Sequence, residues 1–127
     1  MTLSQRIVIV DDERSVRSGL SNLLRSEGYE THVFESAEAF LRDDTALAEA
    51  SLLILDVKLK GMGGFDLYKQ VVLYPEHPPV IFISGHGDEN MQWYAISLGA
   101  VTFLRKPINI DILLEYIRHE LAFREKK

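Results

Sequence analysis

Five short strand-like runs, four apolar and one alternating, each followed by a stretch of helical period, constrain this chain most strongly. The runs are Ile7–Val10, Glu30–Phe34 (the alternating one), Leu52–Asp56, Val80–Ser84 and Val101–Leu104. Most are β-branched or leucine-rich without alternation, as in strands buried on both faces. After the first run, Glu13–Ser26 carries Val16, Leu20, Leu23 and Leu24 on one helical face and ends before Gly28. Ser36 opens a second helix as N-cap, with Phe40 and Leu41 as its apolar face and Ala39 where a full capping box needs Glu. A third helix is expected over Phe65–Leu73, closed by Pro75, Pro78 and Pro79, and a fourth over Asp88–Leu98, ended by Gly99. Asn109 caps a last helix, Ile110–Phe123, with Ile110, Leu113, Leu114, Ile117 and Leu121 on one face. The polar, Ala-rich stretch Arg42–Ala50 shows no clear period. Strict β-α alternation implies an α/β fold: one five-stranded parallel sheet with five helices on its two faces. Right-handed crossovers favour the strand order 2-1-3-4-5.

In such a sheet, ligands bind just past the carboxyl ends of the strands. The first strand ends in Asp11-Asp12, the third in Asp56, the fourth in Ser84 and the fifth in Lys106-Pro107. Three acids, a hydroxyl and a lysine from distant parts of the chain should therefore converge. Taken alone, Asp11-Asp12 reads as a helix cap, Ser84 as turn chemistry and Lys106 as an ordinary loop lysine. Asp56 resists such a reading, because a loop with three glycines follows it rather than a helix. Three carboxylates at one spot repel each other, and one divalent cation plus one lysine offsets them. Mg²⁺ prefers one or two carboxylates, waters and phosphate oxygens. A carboxylate such as Asp56 can attack phosphorus. Phosphoryl transfer needs mainly positioning and neutralised charge, which Mg²⁺, Lys106 and the Ser84 hydroxyl would supply.

Composition narrows the function classes. The 127 residues carry a net charge of −5, which argues against a nucleic-acid surface. Arg124–Lys127 is basic, but cations at a helix end suit the helix dipole. There is no cysteine, hence no disulfide framework or thiolate metal site. No run reaches the roughly 20 apolar residues of a membrane span. No signal peptide is expected, and a cytoplasmic protein is. The four histidines are scattered and read as solvated surface groups.

The segments IVDDE, ILDVKLKGMGGFDL, FISGHGD and GAVTFLRKP occur in this order at the spacing of one family. Over essentially its whole length, 1–127, the chain resembles the receiver domain of two-component response regulators, a flavodoxin-like fold. SGHGD with GAVTFLRKP is most similar to the FixJ-like subgroup, which often carries a helix-turn-helix output domain. The resemblance implies that Asp56 is the phosphoacceptor. Asp11 and Asp12 would hold Mg²⁺ together with Asp56 and the backbone carbonyl of Lys58. Ser84 matches the switch hydroxyl, Lys106 the family's lysine before a cis proline, and Phe103 the switch aromatic. The family often has Pro where Lys60 stands, so a looser acceptor loop is expected. It often has Tyr where Phe103 stands, and Phe has no hydroxyl to report its rotation. Lys58 and His86 occupy positions that tune phosphoryl lifetime in the family.

The implied partner is a sensor histidine kinase or a histidine phosphotransfer protein. The domain would assist its own phosphorylation and dephosphorylation without turning over a separate substrate. The face made by the fourth helix, fifth strand and fifth helix often mediates dimerisation in the family. Met91, Ala95 and Leu98 form the core stripe of the fourth helix, which leaves Trp93 and Ile96 on its flank. Trp93 is expected either on that face or folded over the fifth strand. Two rivals share the chemistry. A haloacid-dehalogenase-like phosphohydrolase also uses Mg²⁺ and an aspartyl phosphate, but its nucleophile lies in a D-x-D pattern on the first strand, where this chain has DDE. A pseudo-receiver working only as an interaction module usually lacks an acid or the lysine, and this chain keeps them.

Overall fold

A computed structural model describes residues 5–85 and 89–125, with side chains as far as Ala122. The strands are β1 (Arg6–Val10), β2 (Glu30–Phe34), β3 (Leu52–Asp56), β4 (Val80–Ser84) and β5 (Thr102–Arg105). The helices are α1 (Arg14–Ser26), α2 (Ala37–Arg42), α3 (Ala46–Glu49), α4 (Gly64–Val71), α5 (Glu89–Ser97) and α6 (Ile110–Glu125). All strand pairs are parallel, in the expected order β2-β1-β3-β4-β5. One helical segment exceeds expectation. The single turn α3 forms in the stretch without period, where Asp43 Oδ1 accepts from the amides of Thr45 and Ala46 at 3.0 Å each. A local side-chain turn of this kind needs no hydrophobic repeat.

Successive side chains of a strand point to opposite faces, so one apolar run feeds two cores. Val8, Val10, Leu53, Leu55, Val80, Phe82 and Phe103 face one side. There they pack on Ala37 and Phe40 of α2, Ala46 of α3, Leu67, Tyr68 and Val71 of α4, and Ala95 of α5. Ile7, Ile9, Leu52, Ile54, Ile81 and Ile83 face the other side, covered by Leu20 and Leu24 of α1 and by Leu113, Leu114, Ile117 and Leu121 of α6. Every residue of β3 and β4 is buried, which explains their uninterrupted apolar sequences. β2 lies at an edge and is only partly covered. Two side chains leave their expected places. Leu41 is 40% exposed at the end of α2, and Ile110 is 45% exposed in the first turn of α6, ahead of the buried stripe.

Caps set the helix ends. The Ser36 hydroxyl accepts from the Ala39 amide at 3.0 Å, the half box expected. Asn109 Oδ1 accepts from the Ile112 amide at 3.2 Å. The residue before α1 is Glu13, whose side chain makes no capping bond, so Asp11-Asp12 is not that helix's N-cap. α5 hangs on α4 through the Tyr68 hydroxyl, which donates to the Leu98 carbonyl at 3.0 Å. No helix among the described residues is long and apolar enough to cross a membrane.

Candidate functional site

The sheet's hydrogen bonding continues past its strand ends and places the polar residues. The Asp11 amide donates to the Phe34 carbonyl at 3.1 Å, Val57 to Ile83 at 2.9 Å, and Lys106 to Ser84 at 2.8 Å. Asp11, Asp56, Ser84 and Lys106 are thus held by backbone ladders of neighbouring strands rather than by flexible loops. α4 closes tightly against the end of β3. Its first residue is Gly64, where a Cβ would collide with the backbone carbonyl of Asp56. The peptide between Lys106 and Pro107 is cis, as the resemblance implied.

Three of the expected residues meet directly. Lys106 Nζ lies 2.9 Å from Asp11 Oδ2 and 3.3 Å from Asp56 Oδ2. It also donates to Glu13 Oε1 at 2.8 Å. Glu13 was not among the expected site residues, although it closes the DDE triplet and so follows the two acids directly. Asp11 and Asp56 are buried, Asp12 is half-buried and Glu13 is exposed. One carboxylate oxygen from each of these four lies within 4.8 Å of the others. Backbone groups fasten the acids: Asp11 Oδ1 accepts from the Glu13 amide at 2.8 Å, and Asp56 Oδ1 from the Lys58 amide at 3.2 Å. Arg17 Nη1 donates to the Asp11 carbonyl at 2.7 Å, so α1 braces the turn.

The electrostatics follow from this crowding. Burial pushes the Asp56 carboxyl up to about 6, the Asp11 charge pushes the same way, and Lys106 opposes both. Burial works against the Lys106 ammonium, but the carboxylates of Asp11, Glu13 and Asp56 outweigh it and hold the lysine charged. Asp11 Oδ2 is buried, and the Lys106 ammonium at 2.9 Å is its charged partner. Four carboxylates gathered within 4.8 Å, two of them buried, fit a hard divalent cation. The one lysine does not balance four acids.

Ser84 is fully buried at the end of β4, the strand beside β3. Phe103 is 4% exposed and lies opposite Phe82 in the ladder. It packs inward with Ala95 and Ala100, as an aromatic ring without a hydroxyl should. Lys58 and Lys60 are exposed. His86 lies outside the described residues. Trp93 is 71% exposed and therefore does not fold over β5. Tyr94 and Ile96 on α5, and Ile112 and Tyr116 on α6, are also exposed, between 38% and 42%.

Residues 7–118 match the family model described as the response regulator receiver domain. The chain is 45% identical over 115 residues to the response regulator protein TmoT of Ectopseudomonas mendocina, covering 91% of this chain and 52% of that protein. It is 34% identical over 125 residues to the transcriptional regulatory protein FixJ of Bradyrhizobium diazoefficiens, covering 98% of this chain and 60% of that one. Among solved structures, a CheY-like response regulator receiver domain protein from Methanospirillum hungatei superposes with a TM-score of 0.85 at 30% identity, covering 98% of each chain. The chain spans about half the length of the curated relatives it matches.

Proposed function

Because the chain belongs to the response regulator receiver domain family, we propose that Asp56 is its phosphoacceptor and that residues 1–127 form one receiver domain. The observation that carries this reading is the meeting of Asp56 and Asp11 on Lys106 at the strand ends, each with an oxygen within 3.3 Å of its Nζ. In the proposed reaction an Asp56 carboxylate oxygen attacks the phosphorus of a phosphohistidine on a sensor kinase or phosphotransfer protein. A P–O bond forms, the P–N bond breaks, and the leaving imidazole takes a proton from solvent. Asp56 then carries an acyl phosphate.

Asp11, Asp12, Asp56 and the carbonyl of Lys58 would hold Mg²⁺, which when bound neutralises charge on the phosphoryl oxygens. Lys106 exchanges part of its contact with Asp11 and Glu13 for a phosphoryl oxygen. The Ser84 hydroxyl donates to another, and Phe103 serves as the switch aromatic. The same groups assist attack by water, so the domain also promotes its own dephosphorylation. The new charge biases an existing two-state equilibrium. The readout is an output domain or a second copy docking on α5, β5 and α6, where Trp93, Tyr94, Ile96, Ile112 and Tyr116 are exposed. A cytoplasmic setting fits a kinase partner of this kind, and the similarity to FixJ supports the FixJ-like subgroup.

The test is intact mass after incubation with Mg²⁺ and acetyl phosphate. Wild type should gain one hydroxylamine-labile phosphoryl group, and Asp56→Asn none. Uptake that survives in the variant would overturn the assignment. No uptake by wild type from acetyl phosphate or from a phosphorylated kinase would leave a pseudo-receiver.

A further inference from the structure

The loop 57–63 joins the acceptor strand β3 to α4. Its first half is anchored by apolar side chains, since Val57 and Leu59 are buried in the core. Its second half is Lys60, Gly61, Met62 and Gly63, where Lys60 and Gly61 are exposed and Met62 and Gly63 half-buried. Lys60 leaves this half without the fixed φ a proline would give. It is nevertheless held. Glu38, in the first turn of α2 and 24 positions earlier, reaches across so that its Oε2 accepts from the Met62 amide at 2.9 Å. Gly61 makes room for it: φ there is +78°, and a Cβ would collide with the Glu38 carboxylate. Among the described residues, this is the hydrogen bond that ties the second half of the loop to an element other than β3 and α4. The Met62 amide keeps the Glu38 carboxyl below the usual range, so the brace stays ionised at neutral pH.

We propose that Glu38 is a positioning residue for the acceptor loop: by holding the Met62 amide it keeps the backbone at Lys58 over Asp56 and so sets the affinity of the site for its divalent cation. This rests on the metal-dependent acceptor reading above. The loop has two fixed ends and one strut. Without the strut, the backbone between Leu59 and Gly63 gains freedom, and the Lys58 amide that fastens Asp56 Oδ1 at 3.2 Å sits at the near end of that segment. A cation needing near-ideal octahedral geometry is sensitive to such loosening. The brace also ties α2 to the site, so loop and helix shift together.

Glu38→Ala and Glu38→Gln separate this role from a helix-end charge effect. An acid in the first turn also favours α2 through the helix dipole, and both variants lose that charge. Only Gln keeps an oxygen that can accept from Met62. The measurements are amide hydrogen exchange at Met62 without metal, and titration with Mg²⁺ alone followed by the amide resonances of Asp12, Val57 and Lys58. Alanine should speed Met62 exchange and weaken Mg²⁺ binding several-fold, with Gln restoring most of both. Unchanged exchange and affinity in the alanine variant, or Gln as damaging as Ala, would overturn the proposal. If Met62 loses protection in the alanine variant while wild type binds no Mg²⁺, the brace stands and the metal-dependent reading of the site falls.

Discussion

Replacing Asp56 by Asn should make the domain more stable at neutral pH, although it removes the proposed acceptor. Asp56 is 3% exposed, and its carboxyl is raised from 3.8 to about 6, chiefly by burial and then by the Asp11 charge. The shift is net of the attraction from Lys106. A carboxyl whose folded value lies above its unfolded value favours the folded state fully at pH below 3.8, and that favour is lost as pH rises through about 6. Asn mimics the protonated form at every pH. The gap of roughly two pH units corresponds to about 3 kcal/mol in favour of Asp56→Asn near pH 7.5. For a domain of this size that is roughly 10 °C in Tm. Urea unfolding with EDTA, near pH 7.5 and again near pH 4, measures it. The advantage should be full at the higher pH and almost gone at the lower. Adding Mg²⁺ should narrow it, because the cation binds the wild-type fold better. A variant no more stable than wild type near pH 7.5, or an advantage indifferent to pH, would refute the electrostatic reasoning.

Lys106→Met should destabilise the fold by about 3 kcal/mol near neutral pH, since it strands Asp11 and Asp56 without their cation, and the loss should shrink as acid protonates Asp56; denaturant titration at two pH values decides it. Gly64→Ala should cost at least about 1 kcal/mol, because its Cβ meets the fixed backbone carbonyl of Asp56, whereas Gly19→Ala within α1, where a Cβ meets nothing within 4 Å, should gain about 0.5–1 kcal/mol; in paired thermal melts, a Tm that does not fall for the first would contradict the clash, and one that does not rise for the second would contradict the open helix face. Trp93→Ala should change stability by less than about 0.5 kcal/mol and yet weaken self-association of the phosphorylated domain, as read by sedimentation; unaltered association would take Trp93 out of the interface.

Much of this molecule was legible in the chain because its central strands are buried on both faces. Such strands read as uninterrupted apolar runs, and β3 and β4 have the bounds the residues implied, as does the alternating edge strand β2. β5 begins and ends one residue later than expected, at Thr102 and Arg105, since Val101 already bonds to Val80 but lies outside the regular ladder. α3 was illegible because a side-chain turn from Asp43 makes it, and a single turn carries no period. Glu13 was overlooked as a participant because an acid before a helix has an ordinary explanation in the helix dipole. Only its hydrogen bond to Lys106, 93 positions away, reveals its part in the cluster.

The class of fold, the strand order and the residues at the strand ends follow from the chain alone, because alternation, burial and right-handed crossovers leave few arrangements open. Tertiary structure alone decided how those end groups face one another. Distances of 2.9 and 3.3 Å from Lys106 to two buried acids, an Asp56 carboxyl raised to about 6 and a brace from Glu38 to the acceptor loop all depend on contacts between distant segments. Periodicity describes each segment against solvent or core. Coulomb interactions and hydrogen bonds depend on where side chains of different segments come to rest, and only the folded chain specifies that.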